Sequence, residues 1–294
     1  DGIPWSDEIR SVAKIIVGGG LCTGTLVNNT SQDGTPYFLT ANHCSPTSMG
    51  SAVFKFNYDS PTCGSQTVAN SQNPVGPNQS INGSSFIASN SASDFGLVEL
   101  NSTPPPSYNV YYSGWNNDNS ISQTGVSIHH PNGDVKKISF DDDPLQSISY
   151  NGNSNNMWQV ETWERLTTTE GGSSGAGLWD DNHFLIGQLY GGSASCGNSG
   201  SDVYGKFSMS WTGNGSSSPN SRLKDWLDPS NSGITQLAGL GGNSPSLNND
   251  AAILSIESPN DVYCSDWVPV EFKIKNNGIN TITELDYDIY IDGL

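Results

Sequence analysis

The stretch "TTTEGGSSGAGLWDD", residues 167–181, contains two adjacent serines, Ser173 and Ser174, with glycine on both sides. Glycine loses more backbone entropy on folding than other residues, so such a run is costly unless the chain must turn sharply. A segment rich in glycine and serine is typical of a surface loop. The alternative is a tight turn that displays a serine hydroxyl, and the rest of the chain has to decide between the two.

The composition predicts an all-β protein. The 294 residues include 33 glycines and 16 prolines, which favour many short strands joined by turns. A formal net charge of −18 argues against a nucleic-acid partner or an anionic membrane surface. No apolar run approaches the roughly 20 residues of a membrane span. The first residues, "DGIPWSDEIR", lack the regions of a signal peptide, so we expect either a processed chain or a fragment.

The cysteines predict disulfides and no metal site. None of the five cysteines forms a C-x-x-C pair or a cluster with the spacing of zinc ligands. Disulfides persist in oxidising compartments, so we expect a secreted or cell-surface protein. An odd number leaves at least one thiol without a partner in this chain. We expect no metal and no other cofactor.

Short apolar segments separated by Gly, Asn, Pro or Asp run from about residue 12 to residue 211 and predict strands of a sandwich or barrel. The segment "SRLKDWLD", 221–228, instead predicts a short helix capped by Ser221. Residues 239–249 have the composition of a linker. We therefore expect a first domain over 1–238 and the start of a truncated β-sandwich module over 250–294.

Two further segments supply the other groups that acyl transfer needs. "PYFLTANHCS" places His43 just after an apolar strand, and "SASDFGLVELN" places Asp94 at the start of another. A lone histidine is more often structural than catalytic, and an aspartate before a strand is usually a turn residue. Together with Ser174, however, they provide a nucleophile, a base and a carboxylate that orients the base.

The order His43, Asp94, Ser174, within "LTANHC", "DFGLVEL" and "GGSSGAGLW", resembles the chymotrypsin-like serine endopeptidases. Further segments resemble the bacterial lysyl endopeptidase branch, and the likeness extends over residues 10 to about 240. They are "CTGTLVNNT", "IHHPNGDVKKIS", "GQLYGGSASC", "SDVYGKFSMSWTG" and "SRLKDWLDP". The resemblance implies two six-stranded β-barrels with a short C-terminal helix, followed here by the partial, Ig-like sandwich module. The active site would lie between the barrels.

In this family the serine before the second motif glycine is the nucleophile, which identifies Ser174 rather than Ser173. The amides of Gly172 and Ser174 would then hold the oxyanion of the tetrahedral intermediate. Many relatives have an aspartate at position 173 that pairs with a freed amino terminus. Ser173 cannot form that ion pair, so we expect a loop that is formed without it.

The resemblance also assigns a substrate pocket. Asp202 would select a cationic side chain at the residue before the cleaved bond, P1, because a buried carboxylate needs compensation. Tyr190, Gly191 and Gly192 would pair with the substrate backbone. Tyr150 and Tyr190 would form the pocket wall. Two tyrosines could exclude the guanidinium of arginine or admit it, and we favour lysine.

The family pattern implies a disulfide between Cys22 and Cys44. In relatives, the cysteines at the positions of Cys63 and Cys196 pair with two cysteines of an amino-terminal segment that this sequence lacks. Cys264 falls in the second module. The acidic run 141–143 is expected to be a solvated turn without a metal, and His129 and His130 to be structural.

The sequence thus predicts a secreted, monomeric serine endopeptidase that cleaves polypeptides after lysine. One alternative is the same enzyme class with arginine or broader preference at P1. The other is a catalytically silent surface protein that uses a protease-like scaffold for adhesion or binding.

Overall fold

The computed structural model describes residues 2–60, 79–241, 251–258 and 270–276. The chain divides into two compact units, Asp1–Gly242 and Asn243–Leu294. Most of the predicted linker, and Cys63 and Cys264, lie outside the described residues. The predicted domain limits therefore stay a prediction.

The first sheet of the larger unit is antiparallel throughout and has the order β5-β4-β1-β2-β3-β7-β6. Alternation of apolar and polar residues explains its core: in Val53–Phe56 the two phenylalanines are buried, and Val53 and Lys55 are less so. Phe38 packs edge-on against both of these phenylalanines. The strands are β1 (Val12–Val17), β2 (Gly20–Leu26), β3 (Tyr37–Ala41), β4 (Val53–Phe56), β5 (Ser80–Asn82), β6 (Ser84–Asn90) and β7 (Phe95–Leu100).

The second sheet has nine strands, seven of them in the order β10-β9-β13-β14-β15-β12-β11. The two-residue strand β8 pairs in parallel with β14 and antiparallel with β16. Buried aromatic residues, including Trp158 and Tyr204, fill its interior. The strands are β8 (Trp115–Asn116), β9 (Gly125–His129), β10 (Lys137–Asp141), β11 (Gln146–Tyr150), β12 (Asn153–Val160), β13 (Gly177–Trp179), β14 (Leu185–Gly192), β15 (Asp202–Lys206) and β16 (Gln236–Leu237).

A third cluster of buried residues joins the two sheets. It contains Leu39 and Leu97 of the first sheet together with Trp115 and Trp179 of the second. Burial of a large apolar side chain contributes about 1.5–3 kcal/mol, so this shared core fixes one sheet against the other. The cleft between the sheets can therefore carry a site assembled from both.

The helices are short, and two of them correct the sequence analysis. They are α1 (Ser6–Ser11), α2 (Phe207–Thr212) and α3 (Lys224–Leu227). The predicted cap by Ser221 is wrong, because α3 begins three residues later and Ser221 ends a separate 3-10 turn. The segment "FSMSW" was expected to continue a strand, but it forms α2. Its Phe207 and Trp211, four residues apart, stack together and pack on Trp115.

In the second unit, β17 (Ala251–Ser258) pairs antiparallel with β18 (Glu271–Asn276). Both strands lie in the range 250–294, where the sequence predicts the start of a β-sandwich module. The all-β prediction is confirmed for the larger unit, whereas an Ig-like sandwich over 250–294 stays a prediction.

Candidate active site

His43 and Asp94 form a direct contact at the edge of the first sheet. His43 lies in a 3-10 turn (Asn42–Cys44) that follows β3, and Asp94 immediately precedes β7, the neighbouring strand. The Asp94 carboxylate is 2.7 Å from His43 Nδ1 and also accepts the His43 backbone N–H, at 3.0 Å. Because a carboxylate only accepts, Nδ1 carries the proton and Nε2 is left as the basic nitrogen.

The backbone of Asp94 adopts a left-handed conformation, with φ +53°. Non-glycine residues in this region carry local strain, which the surroundings must hold in place. Here the carbonyl of Asp94 accepts the N–H of Asn42, at 2.7 Å, in addition to the two bonds of its side chain. The turn before β7 is therefore fixed to the turn that carries the histidine.

The Ser174 loop belongs to the second sheet but rests on the first. The Ser174 carbonyl accepts the N–H of Thr23 in β2, at 2.8 Å. Gly175, with φ +83°, leaves no room for a side chain, since a Cβ there would collide with Thr40 Oγ1 and the carbonyl oxygen of Thr23. The chain thus brings half-buried Ser174 against the strand that leads into His43. Within the described part of the chain, the Ser174 hydroxyl makes no hydrogen bond to the imidazole.

Two amides of this loop remain available to a ligand. The backbone N–H groups of Gly172 and Ser174 donate to no protein acceptor among the described residues, whereas the intervening Ser173 N–H donates to the Glu170 carbonyl at 3.0 Å. Gly172 has φ +88°. Its carbonyl accepts from Thr23 Oγ1 at 2.9 Å. The peptide groups that contain these two amides are held through their carbonyls, since Gly171 accepts the N–H of Asn132 at 2.6 Å and Ser173 accepts the N–H of Ala176 at 2.9 Å. In a trans peptide the N–H points away from the carbonyl, so both amides are directed away from these partners.

Ser173, the neighbour of Ser174, has no solvent exposure, and its hydroxyl lies 2.7 Å from His129 Nδ1. The sequence predicted a structural role for His129 but did not reveal this contact. The two residues are 44 positions apart, and no local pattern connects them.

Asp202 begins β15 and is buried, with 1% exposure. Its Oδ2 accepts two hydrogen bonds, one from Trp163 Nε1 at 2.7 Å and one from Thr169 Oγ1. Its Oδ1 lies against Gly192, where an added Cβ would collide with it. The sequence singled out Asp202 but missed Trp163 and Thr169, which both lie in the connection between β12 and β13, Thr169 just ahead of the glycine and serine run.

Tyr190 and Tyr150 form an aromatic edge beside the imidazole. Their ring centroids are 5.2 Å apart, and Tyr190 lies 5.7 Å from the His43 ring. The pKa of Tyr150 is raised, mainly by partial burial and to a smaller extent by the nearby Tyr190. In the ladder, Gly191 pairs with Val203 and Gly192 with Asp202. The structure therefore brings all five residues expected to bind substrate, including Tyr150, to one end of β14 and β15.

A disulfide joins Cys22 in β2 to Cys44 beside His43, the pair that the family resemblance implies. Cys196 is a free, exposed thiol. Its backbone N–H donates to Glu170, at 3.1 Å.

The acidic run 141–143 differs from expectation at its first residue. Asp141 is 3% exposed rather than solvated, because its side chain lies at the end of β10, and burial raises its pKa to about 7. Asp141, Asp143 and Glu164 present oxygens within 4.8 Å of one another. No feature beyond the acidic cluster itself points to a cation there. Separately, no helix among the described residues has the length and apolar character that a transmembrane span requires.

Comparison with known proteins agrees with this geometry. A family model described as lysyl endopeptidase, C-terminal domain, matches residues 2–207. The lysyl endopeptidase of Pseudomonas aeruginosa is 32% identical over 207 residues, which cover 66% of this chain and 43% of the relative. The chain therefore spans less than half the length of that relative.

Solved structures are similar in fold. The thermostable serine protease AL20, from an extremophilic microorganism, superimposes with a TM-score of 0.50 at 13% identity, covering 68% of this chain and 92% of its own. The protease Anisep from Arthrobacter nicotinovorans has a TM-score of 0.49 at 16% identity, covering 68% and 91%. The larger unit has the chymotrypsin-like fold of two curled sheets. Because the family model covers more than half of the 294 residues, this chain belongs to the lysyl endopeptidase family.

Proposed function

We propose that the protein is a serine endopeptidase that hydrolyses peptide bonds after lysine. The observation that carries the proposal is the contact of the Asp94 carboxylate with His43 Nδ1 beside the loop that presents Ser174. This arrangement leaves His43 Nε2 basic, and the side chain of His43 is 40% exposed. A buried carboxylate, an accessible imidazole and a serine on a tight turn are the three parts of this chemistry.

In the first half of the reaction, Ser174 Oγ attacks the peptide carbonyl carbon and its proton passes to His43 Nε2. The carbonyl oxygen becomes an oxyanion held by the amides of Gly172 and Ser174, and Asp94 stabilises the imidazolium. The carbon–nitrogen bond then breaks, and His43 returns the proton to the leaving amine. In the second half, water attacks the acyl-enzyme in the same way, and Ser174 regains its proton.

The hydrogen bonds of Asp202 support lysine rather than arginine at P1. Oδ2 already accepts from Trp163 and Thr169, so Oδ1 is the oxygen left for the substrate. A guanidinium forms its strongest carboxylate contact with both oxygens at once, whereas an ammonium needs only one. The aromatic edge of Tyr150 and Tyr190 would pack on the aliphatic part of the lysine side chain. We expect arginine to bind through one oxygen and to be the poorer substrate.

The disulfide between Cys22 and Cys44 supports a secreted protein, because such bonds persist outside the reducing cytoplasm. The substrate class is polypeptides with lysine at P1, and we expect the enzyme to act as a monomer. Neither a cofactor nor a metal takes part in the steps above.

The test is hydrolysis of matched peptides with Lys, Arg or Leu at P1 by the protein and by Ser174→Ala. We expect the order Lys, then Arg, then Leu, and a loss of kcat on the order of 10⁶-fold in the variant. In Asp202→Asn, kcat/KM for the Lys peptide should fall while that for Leu stays unchanged. Equal rates for the Lys and Arg peptides would indicate a protease with a broader preference at P1. A folded protein that cleaves none of the peptides would support the protein-binding scaffold instead.

A further inference from the structure

The loop that carries Ser174 also holds a second serine in contact with a second histidine. Ser173 and His129 are both without solvent exposure. Ser174, by contrast, is only half-buried. This pair plays no part in the proton transfers described above.

The hydrogen bonds around His129 fix where its proton lies. Ser139 Oγ donates to the Thr168 carbonyl at 2.9 Å, so the same hydroxyl can only accept from His129 Nε2, which is 3.0 Å away. His129 Nε2 therefore carries the proton and Nδ1 is an acceptor. Ser173 Oγ then donates to Nδ1 at 2.7 Å and accepts the Glu170 backbone N–H at 3.2 Å. Every donor and acceptor in this series of hydrogen bonds has a partner when the imidazole of His129 is neutral.

The state of His129 is consistent with this arrangement. Complete burial, together with the positive charge of Lys137, lowers the pKa of His129 to about 3. The ring therefore stays neutral at any pH at which a serine protease of this type would operate, and its role as an acceptor for Ser173 does not vary there.

The position of Ser173 gives the contact its consequence. Its side chain extends from the residue between Gly172 and Ser174, whose two amides would form the oxyanion hole. The bond to His129 is the only side-chain hydrogen bond that a residue of the turn 171–174 donates within the described residues. A shift of Ser173 would rotate the peptide on each side of it. Gly171 and Gly172 have no side chain to oppose such a rotation, which the backbone hydrogen bonds of the turn resist together with the bond to His129.

We propose that His129 is a positioning residue for catalysis. By accepting a hydrogen bond from the Ser173 hydroxyl, it keeps the N–H groups of Gly172 and Ser174 pointing towards the oxyanion. Ser173 and His129 thereby restrain the loop through two neutral groups, whereas relatives with an aspartate at position 173 use an ion pair. The inference rests on the proposed function, because it assigns the oxyanion hole to these amides.

The principal test compares Ser173→Ala with Ser127→Ala. Ser127 is a matched control because it lies on the same strand as His129, is fully buried, and donates its hydroxyl to a backbone carbonyl, that of Gly177 at 2.9 Å. Loss of an oxyanion-hole donor costs about 10²–10³ in kcat, so loosening the pair should cost on the order of 10–100-fold. We expect that loss in Ser173→Ala, with KM changed less than about threefold, and unchanged kcat in Ser127→Ala.

Two inhibitors separate positioning from general loss of structure. A peptidyl-lysine aldehyde forms a tetrahedral adduct with Ser174 and needs the oxyanion hole, whereas butylamine needs only the Asp202 pocket. Ser173→Ala should weaken the binding of the aldehyde by the same factor by which it lowers kcat. It should leave the binding of butylamine unchanged. His129→Leu should match Ser173→Ala, and His129→Asn, which retains an acceptor oxygen, should recover part of the lost kcat. An active protein whose Ser173→Ala variant keeps wild-type kcat would overturn the inference.

A further test does not depend on whether the protein is active. In ¹⁵N NMR spectra, His129 should show a protonated Nε2 and an unprotonated Nδ1, and the Gly172 and Ser174 amide signals should shift in Ser173→Ala but not in Ser127→Ala. The opposite tautomer, or unchanged amide signals, would overturn the positioning role even if peptides are cleaved. If the spectra agree but no peptide is cleaved, the proposed function fails while the positioning of the loop stands.

Discussion

His43 and His129 differ in almost every respect that governs imidazole chemistry. The side chain of His43 is 40% exposed and faces a carboxylate, whereas His129 is fully buried and faces two hydroxyls. A carboxylate stabilises the protonated ring that general-base catalysis produces. Hydroxyl partners in a buried site stabilise only the neutral ring.

The comparison shows that the same side chain becomes a proton acceptor or a fixed support according to its partners and its access to water. In both histidines Nδ1 is hydrogen-bonded to a side-chain oxygen. In His43 this nitrogen donates to Asp94, which leaves Nε2 basic. In His129 it accepts from Ser173, which places the proton on Nε2. Opposite tautomers therefore accompany the two roles.

The largest expected effect comes from removing the charge beside His43. In Asp94→Asn, the amide can donate to Nδ1 and so impose on His43 the tautomer of His129, with Nε2 protonated and unable to accept from Ser174. We expect kcat to fall by about 10⁴-fold. The measurement is steady-state hydrolysis of the P1 lysine peptide.

Asp180→Asn provides the control, because Asp180 is another buried carboxylate that accepts backbone N–H groups, those of Asn182 and Phe184. It should leave kcat within about twofold of the unmodified protein. If Asp94→Asn lost less than tenfold, the tautomer of His43 would not govern the rate.

An intermediate effect concerns stability in acid. The pKa of His129 is about 3 when folded and about 6.5 when unfolded, so the unfolded chain binds the proton first as the pH falls. The contribution of this group to stability is complete above pH 6.5 and is lost progressively towards pH 3. Between pH 7 and pH 4 the loss should be about 3 kcal/mol.

Urea unfolding at pH 7 and pH 4 measures this loss. In His129→Asn, which has no titrating group at that position, the difference between the two pH values should be smaller by that amount. An unchanged difference would show that His129 titrates normally and is not held neutral.

The smallest effect belongs to His183, which gives the comparison a third case. Its Nδ1 lies 3.2 Å from Glu8 Oε1, and its ring stacks on Trp5. The hydrogen bond to Glu8 raises the pKa of His183, so its stabilising contribution is present below pH 6.5 and is lost as the pH rises through the higher folded value. The side chain is 39% exposed, and solvent screening should keep the effect below about 1 kcal/mol.

Thermal unfolding of the protein and of His183→Gln at pH 6 and pH 9 checks this sign. The unmodified protein should be the more stable of the two at pH 6, and the difference should shrink at pH 9. A difference that grows with pH would mean that Glu8 does not stabilise the charged ring.

Much of the fold was predictable because its strands are short, alternate in polarity and end at turn residues. The segment 207–212 was not, since "FSMSW" alternates like a strand. Its helix depends on Phe207 and Trp211 packing on Trp115, a contact made across 92 positions that no local pattern encodes. The buried position of Asp141 was missed because the two residues that follow it, Asp142 and Asp143, are acidic and exposed.

The site divides in a similar way. His43, Asp94, Ser174 and Asp202 could be singled out because each lies in a segment that resembles a family motif. The groups that hold them could not. Trp163 and Thr169 reach Asp202 from the connection between β12 and β13, and a single bond between distant residues links Ser173 to His129. Supporting contacts depend on tertiary geometry, and many residue types can provide them.

The division of the proposed triad between the two sheets has a consequence for biosynthesis. His43 and Asp94 come from the first sheet, whereas Ser174 lies in a loop of the second that rests on Thr23 and Thr40. A nascent chain that has folded only its first half therefore holds a base without a nucleophile. Under the proposed function, peptide hydrolysis therefore requires that the strands of both sheets have folded and docked.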